Sequence, residues 1–421
     1  MPTDTDRTSF LNRLRAVVDQ PGVARRAKDP ITASSIRIWC EAVGDDNPLY
    51  QDPAWAGRSR FGGIIAPPAS LNMWTLPGNR RAHHREPLDV ITELLAEGGF
   101  TSVAAVENNH EYLRPLRPGD HLVQTMRIGA VSEEKRTALG QGHFVDLVNE
   151  YATEQGEVVG RAMMRILRWD PGSGPAKTAV DAVVDRRGPL CRPGGGDHQP
   201  PAAGTTARVR SVLQPGYAVN PAHERPYVIA DAELDDGSRL VADVLNVEPG
   251  AVLTGMRVEV IHVRDQAGGT LAAWQPIRPP RREHTIRLGD VERGDLLAPW
   301  PIPITQASIA ALATATYDFN DVHLDRDAAV LRGARDVYMN ILGSTGLVNC
   351  FLTDWAGPEA LLTAVKVRLH RQNHPGDTLT LTGTVTEKRQ LDDRDLLEVS
   401  VRGYNSFGDH LVARCTLELP R

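Results

Sequence analysis

A chain of 421 residues, 41% apolar and 24% charged, is too long for one ordinary core and suits two or three globular domains. A net charge of -6 gives no reason to expect nucleic acid or an acidic membrane surface as partner, and no apolar run approaches the roughly 18 residues that span a bilayer. Cys40, Cys191, Cys350 and Cys415 are scattered and form no Cys-x-x-Cys pair, which argues against a disulfide framework and suits a reducing cytoplasm.

The start, MPTDTDRTSFLNRLRAVVDQ, lacks a basic stretch followed by an apolar core, so no secretory signal is expected and the location expected is cytoplasmic. A helical stretch, ASSIRIWCEAV, leads into GDDNPLYQD (Gly44 to Asp52). An apolar segment of small residues follows, GGIIAPPASLNMWTLPGN. Pro67, Pro68, Pro77 and Gly78 predict that any helix there is short or broken. RPLRPGDHL (Arg114 to Leu122) then opens an alternating strand, and Val145 to Leu167 read as a hairpin.

Pro171 to Thr206 are rich in Pro, Gly and Ala and read as a linker. Between Ala207 and Pro280 short strands return, with a tight hairpin turn at Asp235-Asp236-Gly237. About five strands in so short a span suggest a small closed barrel of the OB type.

The landmarks of the first part then recur in the same order. QASIAALATAT precedes YDFNDVHLD (Tyr317 to Asp325), which repeats Asp-x-Asn-x-aliphatic-x-x-Asp. DVYMNILGSTGLVNCFLTDWAG predicts a buried helix of about four turns. RQNHPGDTL (Arg371 to Leu379) answers RPLRPGDHL, and Leu397 to Leu419 answer the first hairpin. The chain therefore contains a duplication, each copy predicted to wrap a curved antiparallel sheet around one central helix. The copies differ at one chemical position: His323 in the second is Tyr50 in the first.

DFNDVHLD resembles the motif of MaoC-like (R)-specific enoyl-CoA hydratases, Gly-Asp-x-Asn-Pro-x-His. Asp318, Asn320 and His323 keep its spacing, while Tyr317 replaces the Gly and Asp321 the Pro. YMNILGSTGLVNCFLTDWAGP is similar to actinobacterial hydratases that act on steroid side chains. Those pair a catalytic hotdog subunit with a degenerate one carrying an OB-fold domain that docks a thiolase-like aldolase. The resemblance implies an α+β chain with two hotdog domains, paired as a pseudo-dimer, and an intervening OB-fold. The implied divisions are a degenerate hotdog over 1–170, a linker over 171–206, the OB-fold over 207–281 and a catalytic hotdog over 282–421. A zinc ribbon often precedes the family's OB domain; only Cys191 and His198 stand there, so no metal is expected. No redox cofactor is implied either.

Hydration of a 2-enoyl thioester needs a polarised water, a proton for the α-carbon and a donor for the enolate oxygen. Asp318 and His323 are the candidates for the first two tasks, with Asn320 orienting Asp318 or bonding the loop backbone. By analogy with the family, the N–H of Ile341, next to Asn340, would hold the enolate oxygen. Asp45 and Asn47 are expected to cap a helix, and Asp52 and Asp325 to have loop roles. His370 and His374 are expected at the surface or in packing, and His83 and His84 in a solvated loop. Arg371 is read as a CoA phosphate contact or a surface ion pair. The broken first helix would leave space for a bulky acyl group, of steroid or polyketide type. The expected activity is a hydratase or dehydratase of acyl thioesters on CoA or acyl carrier protein, with a homodimer of chains and an aldolase partner as further expectations. The alternatives are a non-catalytic acyl-binding scaffold and, ranked lower, a hotdog thioesterase.

Overall fold

The computed structural model describes all residues except 1–3, 23, 80–84, 175–200, 216–226, 248, 265–269 and 392. His83, His84, Cys191, His198 and most of the expected linker lie outside the described residues.

In the first copy the strands are β1 (Arg25–Arg26), β2 (Ser102–Tyr112), β3 (Leu122–Val131), β4 (Lys135–Thr137), β5 (Gly140–Thr153) and β6 (Val158–Trp169). The barrel is built from β7 (Thr206–Leu213), β8 (Ile229–Leu234), β9 (Arg239–Asp243), β10 (Arg257–Arg264) and β11 (Thr270–Pro276). The second copy has β12 (Leu296–Pro303), β13 (Leu361–Leu369), β14 (Thr378–Gln390), β15 (Asp395–Asn405) and β16 (Gly408–Leu419).

One 11-stranded sheet runs through both copies in the order β1-β3-β5-β6-β2-β13-β16-β15-β14-β12, with β4 added beside β5. Each half follows the same internal path, as a duplicated hotdog must. The seam is antiparallel pairing of β2 with β13, from Ala364 opposite Glu111 to Arg368 opposite Glu107. That pairing covers the sheet edge each copy would otherwise expose. The smaller sheet follows β11-β10-β7-β8-β9 and is nearly closed: Val244 bridges Trp274, and Leu245 N–H donates to Trp274 O at 2.8 Å. Val209, Ala230, Ala232, Val258, Val260 and Trp274 fill it. The architecture is thus an α+β double hotdog with an OB-fold between its halves.

The second copy's central helix, Ile341–Ala356, is buried on almost every side. Its Gly, Thr and Asn residues give it modest intrinsic propensity, so packing holds it in place. Gly346 allows a close crossing: a Cβ there would lie 3.0 Å from both Trp39 and Val43 of the first copy's helix Ala33–Val43.

In the first copy the matching segment is a 3-10 helix of 8 residues, Pro68–Thr75, as its prolines predict. The space beyond it is not simply open. Helices Asp4–Arg15 and Pro87–Glu97 cover the far part of the sheet, where Leu14, Val17, Ile91 and Leu95 pack with Phe100, Ile128, Val145 and Leu147. Between that cluster and the main core lies a band of buried polar side chains: Asn108, His110, Gln124 and Asn149.

Candidate active site

Helix Gln306–Ala315 starts at a reciprocal cap between Thr305 and Ser308. It ends at Thr316, after which Tyr317 takes a left-handed conformation with φ 57°. Gly44 holds the same place in the first copy with φ 75°, so the turn suits glycine and strains tyrosine. Here the chain folds back, and Asp318 N–H donates to Ala313 O at 2.9 Å. The short turn Asp321–His323 then sets His323 Nε2 3.5 Å from Asp318 Oδ2.

His323 Nδ1 lies 2.7 Å from Tyr338 O. A carbonyl only accepts, so Nδ1 carries the proton and Nε2 is the basic nitrogen of the neutral ring. The separation of Nε2 and the carboxylate exceeds a direct hydrogen bond, which suits a pair sharing one water. His323 is 7% exposed and the Asp318 side chain 26%, so the pair stands at the boundary of core and solvent.

Asn340 joins this pair to the central helix. Its Oδ1 accepts from Gly343 N–H at 2.8 Å, capping the helix, and its Nδ2 donates to Asp318 Oδ2 at 3.1 Å and to Thr316 Oγ1 at 2.9 Å. Ser344 N–H bonds Asn340 O. Among the described residues, the N–H groups of Ile341 and Leu342 have no hydrogen-bond acceptor. They are free donors at the N-terminus of the helix that Asn340 caps.

The structure corrects the reading of Asn320. It is exposed, and its Oδ1 accepts from Arg332 Nη1 at 3.4 Å instead of bonding the loop backbone or Asp318. Asn340 orients the carboxylate. Asp321, where the motif has Pro, pairs with Arg332 at 2.6 Å.

In the first copy Asn47 caps Pro48–Gln51 by accepting from Leu49 N–H, but Asp45 is no cap. It is fully buried, accepts from Asn47 N–H and pairs with Arg281 at 2.8 Å. Arg281 also reaches Asp354 on the central helix at 2.5 Å, and Arg278 pairs with Asp354 while donating to Gly44 O at 2.7 Å. Burial pushes the Asp45 and Asp354 carboxyls upward, and the two guanidinium groups oppose it. Cys350 Sγ, Asp45 and Asp354 come within 4.8 Å of one another, but Arg278 Nη2 already contacts the sulfur at 3.1 Å, and burial holds that thiol protonated. Arginines thus occupy the place of a cation.

Asp52 and Asp325 both cap the helices that follow them. His374 is buried, with Nδ1 2.9 Å from Val337 O, so its role is packing. Sequence spacing gave no sign of Arg278 and Arg281, which stand in IRPPRREH after the barrel, or of Tyr338.

The double hotdog, with an Asp–His pair at the tip of its complete central helix, is the frame in which relatives are found. Profiles agree along the chain: FAS1-like, dehydratase domain region over residues 20–162, ChsH2, C-terminal OB-fold domain over 200–263, and MaoC like domain over 292–403. A probable enoyl-CoA hydratase alpha subunit of Thermomonospora curvata is 32% identical over 310 residues, covering 64% of this chain and 97% of that protein. The Mycobacterium tuberculosis 3-oxo-4,17-pregnadiene-20-carboxyl-CoA hydratase beta subunit is 44% identical over 111 residues, 26% of this chain and 83% of its own length. Its alpha subunit is 28% identical over 298 residues, 61% of this chain and 94% of that subunit. Among solved structures, a MaoC-like dehydratase superposes over 97% of this chain and 100% of its own, with TM-score 0.59 at 17% identity, which speaks for the fold. The chain belongs to the MaoC-like hydratase/dehydratase family.

Proposed function

We propose that the chain adds water across the α,β-double bond of a bulky 2-enoyl thioester, and catalyses the reverse dehydration of the 3-hydroxyacyl thioester. The observation that carries this is His323 Nε2 at 3.5 Å from Asp318 Oδ2, with that carboxylate bonded by Asn340, the residue before Ile341. As the water oxygen bonds to the β-carbon, the dyad takes one of its protons and the double-bond electrons move to the thioester oxygen. The Ile341 N–H holds the resulting enolate. The dyad then returns its proton to the α-carbon, so the sum is addition of one water.

Two observations favour a large acyl group. The first copy's central helix stops at Thr75, and the M. tuberculosis relatives are named for a polycyclic acyl-CoA. This chain resembles both an alpha and a beta subunit, so the pair they form is here read as one chain's two halves. The match to the ChsH2 OB-fold domain supports the barrel as the docking element for a thiolase-like aldolase.

The test is the absorbance of the conjugated thioester with a panel of 2-enoyl-CoAs, from crotonyl to polycyclic. Loss of the band, fastest with polycyclic substrates, is expected. Binding of every thioester with no loss of the band would replace this reading by the acyl-binding scaffold.

A further inference from the structure

The duplication offers an internal standard for the polar band of the first copy. Strand registers match each residue to a partner position. Asn149 faces Ala162 and Ala162 faces His110; in the second copy Val401 faces Ala413 and Ala413 faces Val367. By the same registers Asn108 corresponds to Val365 and Gln124 to Leu381. All four second-copy residues are buried and apolar, in the core that surrounds helix Ile341–Ala356. Their first-copy counterparts are buried and polar, beside the shortened helix, whose Asn72 reaches His110 and Tyr151.

The band is only partly satisfied. His110 Nδ1 meets Tyr112 Oη at 2.8 Å and Nε2 meets Asn108 Oδ1 at 3.0 Å; Tyr151 donates to Asn72 Oδ1 at 2.8 Å, and Gln124 Nε2 to Asn149 Oδ1 at 2.6 Å. Asn108 Nδ2 and Gln124 Oε1 are buried and have no hydrogen-bond partner among the described residues. Asn108 is 0% exposed and Gln124 8%. A donor and an acceptor left over in a core cost stability unless something binds them. Burial lowers His110 to about 4, so its ring is neutral near pH 7 and the four side chains carry no charge, while the Arg25–Glu86 pair beside Gln124 neutralises itself. The band suits an uncharged oxygen better than a carboxylate.

The first copy also borders the dyad. The chain leaving Thr75 passes the catalytic loop at Gly78, where a Cβ would lie 3.6 Å from Tyr317. Asn72 and Thr75, on the same short helix, are buried, and the Thr75 hydroxyl has no partner among the described residues.

We infer that the polar band receives oxygens on the part of the acyl group far from the thioester, Asn108 Nδ2 donating to a hydroxyl or carbonyl oxygen at the β2 end of the band and Gln124 Oε1 accepting from a hydroxyl at its β3 end. The inference rests on the proposed acyl-thioester substrate but needs no turnover. It makes Asn108 and Gln124 the residues that select an oxygenated acyl group over a plain hydrocarbon one.

The test is calorimetric binding of saturated acyl-CoAs, which cannot be hydrated. One series runs from octanoyl to hexadecanoyl, each with and without a terminal hydroxyl; a second pair is a polycyclic acyl-CoA with and without a ring ketone. Wild type is expected to bind at least one oxygenated member about tenfold more tightly than its parent. Asn108→Val with Gln124→Leu, the second copy's own residues, should bring that ratio near one. Equal Kd values for every pair in wild type would overturn the inference and leave an ordered water as the band's partner. A preference that survives both substitutions would overturn it too. The wild-type comparison stands even where the variant misfolds. A preference found in a protein that hydrates no enoyl-CoA would refute the proposed reaction and spare the acyl-group reading.

Discussion

Arg281 closes over Asp45 at 2.8 Å, in the first copy's counterpart of the place where Asp318 faces His323. One loop motif has thus become, in one copy, a buried anchor between the halves and, in the other, a partly exposed Asp–His pair. Arg281→Ala leaves two carboxylates buried with one guanidinium between them. We expect a loss of about 3–5 kcal/mol in chemical denaturation. Asp318→Asn, at a partly exposed position, should change stability by less than about 1 kcal/mol.

Asn340 serves both the helix cap and the Asp318 carboxylate, and substitution can separate the roles. Ser caps a helix about as well as Asn but is too short to hold Asp318. Asn340→Ser is expected to keep its unfolding midpoint and lose about tenfold to a hundredfold in kcat with little change in KM. Asn340→Ala should lose the same activity and about 1 kcal/mol of stability besides.

Tyr317 sits at φ 57° where its counterpart is Gly44. Relief of left-handed strain in Tyr317→Gly outweighs the extra freedom of the unfolded chain, for a net gain under about 1 kcal/mol. The unfolding midpoint in urea reads this directly.

Burial lowers both His110 and His410 from 6.5 to about 4. Below pH 6.5 the unfolded chain takes up protons that the native rings refuse, so their contribution is complete above that pH. It is lost as pH falls toward about 4, at about 1.4 kcal/mol per pH unit for each ring. Stability curves between pH 7 and 4 should be shallower for His410→Gln than for wild type by that slope.

The duplication was legible because its signals are local: the Pro-Gly-Asp turns, the alternating hairpins and the prolines that cut the first central helix all act within a few residues. The closeness of Asp318 and His323 was legible for the same reason, since they stand five positions apart in one loop. Contacts across the fold were not. Asn320, expected to orient Asp318 or to bond the loop backbone, does neither, and Asn340, 22 positions from Asp318, bonds that carboxylate. Arg281 lies 236 positions from Asp45, and nothing in the spacing of either residue joins them. The helix Pro87–Glu97, which covers the far part of the first sheet, likewise has no counterpart in the second copy to reveal it.

The central claim is that one copy works and the other does not. The most direct measurement is the initial rate of loss of the enoyl-thioester band with wild type, His323→Ala and Tyr50→Phe, these being the same motif position in the two copies. The account predicts a fall of about a hundredfold to ten-thousandfold for His323→Ala and a rate near wild type for Tyr50→Phe. Equal rates for wild type and His323→Ala would contradict it.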